Sequence, residues 1–210
     1  MEGENRTSFI PSKHGFHFRN SFSIAPVFLR PIFPKIGFCG GMCWAALDRY
    51  YGGEPIPGAT TTPLPGSALY KELFWRQMDT TPSWRWFQAI AWQNTSDKKL
   101  AALTQKEWPK VKASIDNGIP ITMCLIQSLP IIGLPTYNHQ AIAVGYRVDP
   151  TSALRPVYLT IYDPNRPSQD AATLYMTEQG PNDSWKTHVP NTDDSKKLRG
   201  FFVIPYESKP

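Results

Sequence analysis

From Cys39 onward the apolar positions fall first at helical and then at strand spacing. Over residues 39–51 Cys39, Cys43 and Leu47 recur at successive fours, and Gly52-Gly53 supplies a stop, so a helix is predicted over Gly40–Tyr51. After a Pro/Thr/Gly-rich loop at 54–66, helical spacing resumes over 67–78 (Leu69, Leu73, Phe74, Met78) and 82–93 (Trp86, Phe87, Ile90). A further helix is expected at 105–117, with Thr104 and Glu107 as a capping box, Pro109 in the first turn, Gly118 as the stop and Trp108, Val111 and Ile115 facing the core. Past Gly118 the pattern turns strand-like: Ile119–Gln127, His139–Val148, Pro156–Asp163, a shorter segment near Ala172–Met176, and Gly200–Pro205. Helices first and antiparallel strands second is the α+β pattern, with the N-terminal helices packed on one side of an antiparallel β-sheet. Residues 1–38 carry Phe9, Phe16, Phe18, Phe22, Phe28 and Phe33 without a period. They read as an extended, ordered arm laid over the core by its aromatic rings.

Composition narrows the class. A chain of 210 residues with 41% hydrophobic and 19% charged residues fits one globular domain spanning 1–210, arm included, and excludes disordered, coiled-coil and collagen-like chains. Its 21 prolines and 14 glycines predict short elements and many loops. No apolar run approaches the roughly 20 residues of a membrane helix, so no membrane span is expected. The formal charge of +5 comes from scattered Lys and Arg, which argues against nucleic acid as a partner. The first residues hold two glutamates and no apolar segment, so a Sec-type signal is not expected; the location is cytoplasmic or reached by another export route. Three cysteines make a poor disulfide framework and a natural set of free thiols for a reducing compartment. Cys39 and Cys43 with His14, His17, His139 and His188 form no closed ligand spacing, so neither metal nor cofactor is expected.

Three segments carry candidate chemistry. Cys39 opens a helix, where unpaired amides and the macrodipole stabilise a thiolate; Gly40 and Gly41 leave backbone N–H groups unshielded for an oxyanion. In Asn138–Tyr146, strand alternation places His139, Ala141, Ala143 and Gly145 on one nearly bare face, across which the Cys39 helix is expected to pass. In Ile161–Asn165 an apolar strand ends in Asp163, fixed by Pro164. If His139 opens one strand and Asp163 closes its antiparallel neighbour, the carboxylate meets the imidazole at one sheet edge. Each segment also has a plain structural reading, as a packed thiol, a strand-start histidine and an Asp-Pro-Asn turn. Cys124 alternates in phase with Ile126 and is expected to be a core thiol.

Cys39-Gly40-Gly41-Met42-Cys43-Trp44-Ala45-Ala46-Leu47-Asp48-Arg49-Tyr50-Tyr51-Gly52 resembles the nucleophile helix of the papain-like cysteine peptidases, most closely the domain that removes double-glycine leaders from exported bacteriocins. Asp116–Thr122 resembles that family's helix-to-strand step, Asn138–Tyr146 its histidine strand and Tyr162-Asp163-Pro164 its acidic strand end, so the likeness spans roughly 37–165. The resemblance implies a papain-like fold and a Cys39–His139–Asp163 triad. Cys43-Trp44-Ala45 also looks like the Cys-Trp-Ala of papain, which makes Cys43 the alternative nucleophile; Gly52 falls in register with Cys39. The family's oxyanion glutamine, six residues before the nucleophile, has no equivalent here. That position is Phe33 or Gly37, and the first Gln is Gln77. Asn20 is the substitute donor, with Gly40 and Asn138 completing the oxyanion or substrate set. The expected function is a cysteine hydrolase or acyltransferase acting on a peptide or protein substrate through a thioester, with peptidase, deamidase and transferase chemistry all open. The competing class is a catalytically silent papain-like binding module, in keeping with the missing glutamine.

Overall fold

The computed structural model describes residues 4–23, 35–127, 138–151, 155–177, 185–188 and 197–209, and in these five helices precede the long strands of an antiparallel sheet. The helices are α1 (Pro11–His14), α2 (Cys39–Gly52), α3 (Ala68–Thr80), α4 (Ser83–Gln93) and α5 (Asp97–Asp116). The strands are β1 (Asn5–Arg6), β2 (Phe22–Ser23), β3 (Lys35–Ile36), β4 (Ile121–Ile126), β5 (His139–Val148), β6 (Pro156–Tyr162), β7 (Thr173–Thr177), β8 (Trp185–His188), β9 (Lys197–Leu198) and β10 (Gly200–Ile204). The main sheet runs β10-β4-β5-β6-β7-β8-β9, with β1 added to β5 beyond the end of β4, and β2 pairs separately with β3. The protein is thus α+β. No helix among the described residues is long and apolar enough to cross a membrane.

α2 ends where expected: Gly53 takes the left-handed conformation (φ 67°) and turns its N–H back onto the last helical carbonyls. α3 and α5 are capped by Ser67 and Ser96, whose hydroxyls accept from the backbone of Tyr70 and Lys99. α5 therefore begins well before the expected 105, and Pro109 sits inside it rather than in its first turn. Thr104 and Glu107 are not a capping box. They face the outer edge of β10, where Thr104 Oγ1 accepts from Phe201 N (3.2 Å) and Glu107 Oε2 from Val203 N (2.9 Å). The helix thereby pairs backbone donors that an edge strand would leave open. Gly200 permits the approach, since a Cβ there would collide with Thr104 Oγ1 and meet Leu100 at 3.0 Å.

The helices do not all lie on one side of the sheet. One core cluster joins α2 (Met42, Cys43, Trp44, Leu47), Leu73, Ala89 and Leu100 to Cys124, Ile126, Ile142, Val144, Tyr162 and Phe202. The second joins Trp108, Val111 and Ile115 of α5 to Met123, Leu125, Ala141, Ala143, Leu159 and Ile161. α2 thus packs on the bulky face of β5, and α5 takes the bare Ala141/Ala143 face expected to receive α2. The physical reason is volume: α2 brings the small Ala45 and Ala46 into the cluster of Ile142 and Val144, whereas Trp108 shares the other cluster with the alanines. A bulge between Ala143 and Gly145 also shifts the alternation, so Tyr146 and Val148 join the Ala141/Ala143 side and Gly145 leaves it.

Where described, the arm carries α1, β1, β2 and β3 rather than coil alone. Phe9, Phe16, Phe18 and Phe22 are fully buried, while Phe28 and Phe33 lie outside the described residues. Ser12 donates to Asp170, Phe16 N donates to Tyr162 Oη (3.1 Å) and Asn20 N to the Pro164 carbonyl (3.0 Å). The arm is thus tied to the end of β6.

Thr104→Val keeps the shape at the β10 edge but removes the acceptor for Phe201. We expect a loss of about 1–3 kcal/mol, the cost of orphaning a buried N–H. A lower urea midpoint at unchanged slope is the readout, and an unchanged midpoint refutes the edge-pairing role.

Candidate functional site

α2 and the β5/β6 strand ends position the expected residues together. Cys39 is the first residue of α2, His139 the first of β5, and Asp163 follows the last residue of β6 directly. The β5–β6 register pairs Ile142 with Tyr162, which sets His139 and Asp163 at the same sheet edge. His139 Nε2 and Asp163 Oδ1 are 2.6 Å apart, and both side chains are buried. The Cys39 thiol, half-buried, hydrogen-bonds to the same imidazole. With Nε2 engaged by the carboxylate, Nδ1 is the ring atom left for sulfur.

The electrostatics follow from this chain of contacts. Burial by itself pushes the Cys39 thiol up, but the hydrogen bond and charge of His139, joined by the backbone N–H groups of Gln140 and Gly40, outweigh it and hold the thiol below its ordinary value. Burial opposes charge on His139, yet Asp163 and the thiolate raise its pKa. Asp163 is likewise opposed by burial but held low by His139, by the Asn165 backbone N–H (2.8 Å) and by Arg166, whose Nε lies 3.7 Å from Oδ2. The arrangement favours a thiolate–imidazolium pair over two neutral groups.

Cys43 lies one turn deeper, fully buried, and burial with the nearby Cys39 and Asp163 charges drives its pKa far up. Cys124 is buried beside Ile126 in the same core cluster and is pushed up by burial. Of the three free cysteines, Cys39 is the one whose surroundings hold the thiol below its ordinary value.

The glycines work differently from expectation. Rather than leaving backbone open, they let the first turn of α2 pack tightly. A Cβ on Gly40 would strike Thr80 Oγ1 and come within 2.6 Å of Gln140 Oε1; one on Gly41 would strike the Leu73 carbonyl of α3. The Gly41 N–H donates to Gln77 Oε1 (3.1 Å), Met42 N to the Phe38 carbonyl, and Gly40 N to the Cys39 sulfur. Of the first-turn amides, the Cys39 N–H is the one with no acceptor among the described residues.

Asn20 is at the site. Its Oδ1 accepts from Phe38 N (2.5 Å), the residue before Cys39, and its Nδ2 reaches Asn165 Oδ1 (3.3 Å). Asn138 joins the start of β5 to its surroundings: its carboxamide accepts from Gln127 N (3.2 Å) and donates to Gln93 Oε1 of α4 (3.3 Å). Asn165 was not singled out in the sequence. Its backbone caps Asp163 and its Nδ2 sits 3.5 and 3.4 Å from the two His139 ring nitrogens. The Asp-Pro-Asn turn was the available signal, because an aspartate accepting from the amide two residues on is an Asx-turn. Gln77, Thr80 and Gln140, which support the glycine turn from behind, had no sequence signal. Among the described residues, no group of three or more His, Cys, Asp or Glu could hold a metal ion.

Comparison with protein-family models, curated proteins and solved structures found no match.

In the native protein iodoacetamide should modify Cys39 and spare Cys43 and Cys124, as read by mass mapping. Because the Cys39 pKa is lowered, its thiolate persists as pH falls below the free-thiol value of about 8.5, and the rate should stay high until the lowered pKa is crossed. In His139→Ala burial acts without its counterweight, so the rate should rise only toward alkaline pH. Identical profiles in the two proteins refute the pair.

Proposed function

We propose that the protein is a papain-like cysteine hydrolase or acyltransferase that acts on peptide or amide bonds through a thioester on Cys39. The observation that carries this reading is the Cys39–His139–Asp163 chain of hydrogen bonds, in which a buried carboxylate 2.6 Å from the imidazole supports a thiol at a helix N-terminus. Nucleophile on the first long helix, histidine opening one strand and acid closing the next, in that chain order, is what supports the papain-like assignment, with the double-glycine leader peptidases as the nearest pattern.

In this reading the Cys39 thiolate attacks the carbonyl carbon, and the electron pair of the C=O bond moves to oxygen. The Cys39 N–H is the first oxyanion donor. Asn20 supplies the second, since Phe38 holds its carboxamide beside the nucleophile, where the family's glutamine is missing. Collapse of the tetrahedral intermediate breaks the C–N bond, and the His139 imidazolium gives its proton to the departing amine. Water, or another nucleophile in a transferase, then gives its proton to His139 as it enters the thioester and releases Cys39. Asp163 orients the ring and stabilises its charged form throughout.

A peptide vinyl sulfone, followed by mass mapping, tests the assignment. Labelling should fall on Cys39, vanish in Cys39→Ser and His139→Ala, and survive in Cys43→Ser. A peptide thioester or activated ester tests the oxyanion site: Asn20→Ala should slow acylation by about 10²–10³-fold while the iodoacetamide rate, which forms no oxyanion, stays near wild type. Fast alkylation with no acylation by any such probe would favour the silent binding module.

A further inference from the structure

α4 is a helix turned inside out. Its inward positions are Arg85, Ala89 and Gln93, all buried, whereas the apolar residues that mark its period in the sequence, Trp86, Phe87 and Ile90, face outward with Trp84. Phe87 is 71% exposed and Trp84 57%. The inward polar groups are committed: Arg85 reaches Glu207 and lies over the Trp44 ring, and Gln93 accepts from Asn138. The helix is thus locked in this orientation by its polar face, and its aromatic face is left toward solvent. Clusters of large exposed apolar side chains on one element mark interaction sites.

The charges around α4 indicate the partner. The helix contains no carboxylate. The nearby acids Asp79, Asp97 and Glu207 are each paired with a buried arginine, Arg76, Arg199 and Arg85 respectively. Lys98 and Lys99, at the start of α5 just beyond α4, are exposed and have no carboxylate partner among the described residues. The whole chain carries +5. Exposed Trp and Phe on α4, followed in the chain by exposed lysines that have no carboxylate partner among the described residues, match a bilayer interface, where aromatic rings settle at headgroup depth and lysines meet anionic lipid.

We propose that the outer face of α4, with Lys98 and Lys99, docks the protein on anionic membrane surfaces. This stands apart from the thioester chemistry, because none of these residues touches Cys39, His139 or Asp163 in the contacts described above. Docking places the protein peripherally: the aromatic side chains enter the headgroup region and the rest of the domain stays in water.

Flotation of the full chain with phosphatidylcholine vesicles, with and without phosphatidylglycerol, tests it. Binding is expected with phosphatidylglycerol and should weaken with added salt. Trp84→Ser with Phe87→Ser should reduce partitioning on the order of 100-fold, given the apolar area withdrawn. Lys98→Glu with Lys99→Glu should cost roughly tenfold or more and erase the preference for anionic lipid. Unchanged circular dichroism and Cys39 alkylation in both pairs will show that the fold is intact. The proposal is overturned if the protein fails to float with either vesicle, or if binding ignores the Trp84/Phe87 pair. It is also overturned if light scattering finds a dimer that this pair dissolves, which would assign the face to a second copy.

Discussion

Everything at the site depends on how closely the first turn of α2 approaches α3 and the start of β5. Gly40 meets Thr80 and Gln140, and Gly41 meets the Leu73 carbonyl, at separations that leave no room for a Cβ. A side chain at either position would lift the helix end and carry the Cys39 sulfur away from His139. Gln77 holds the turn in place through the Gly41 N–H, so a segment with no role in the chemistry sets the position of the thiol. Close packing, rather than backbone exposure, is what the glycine pair provides.

The second constraint is the burial of opposite charges. His139 and Asp163 are buried, and a lone ion at either place would be unfavourable. Their 2.6 Å contact, the Asn165 amide and Arg166 on the second carboxylate oxygen offset that penalty. The result reaches the half-buried sulfur, where burial alone would favour the neutral thiol and the imidazolium reverses the balance. Cys43 and Cys124 are buried without such a counter-charge and stay protonated. Three cysteines in one region thus behave oppositely because a single imidazole faces only one of them.

The arm and α5 hold this frame from opposite directions. The arm pins the end of β6 through Ser12, Phe16 and Asn20, and Asn20 then bridges Phe38 and Asn165, joining the nucleophile's helix to the carboxylate's turn. α5 closes the far edge by pairing the outward N–H groups of β10 with Thr104 and Glu107. Both devices use polar side chains to satisfy backbone groups that a short sheet would leave open.

Local order was legible along the chain because it depends on near neighbours. The extent of β5, the αL stop at Gly53 and the meeting of His139 with Asp163 follow from period, turn residues and antiparallel pairing. Which face of an element is buried was not legible where apolar residues stand on both faces. Trp86, Phe87 and Ile90 look like a core stripe, yet Arg85 and Gln93 find partners inside and turn that stripe outward. A bulge in β5, invisible to simple alternation, moved Tyr146 across the sheet. Thr104 and Glu107 have the spacing of a cap, but their acceptors meet donors almost a hundred residues away in the chain. Near neighbours in the chain set the main helices and long strands, though not every boundary, and the order of the thiol, imidazole and carboxylate along them. Tertiary structure alone decided which faces are covered and which thiol is charged, because burial and paired charge depend on groups distant in sequence and close in space.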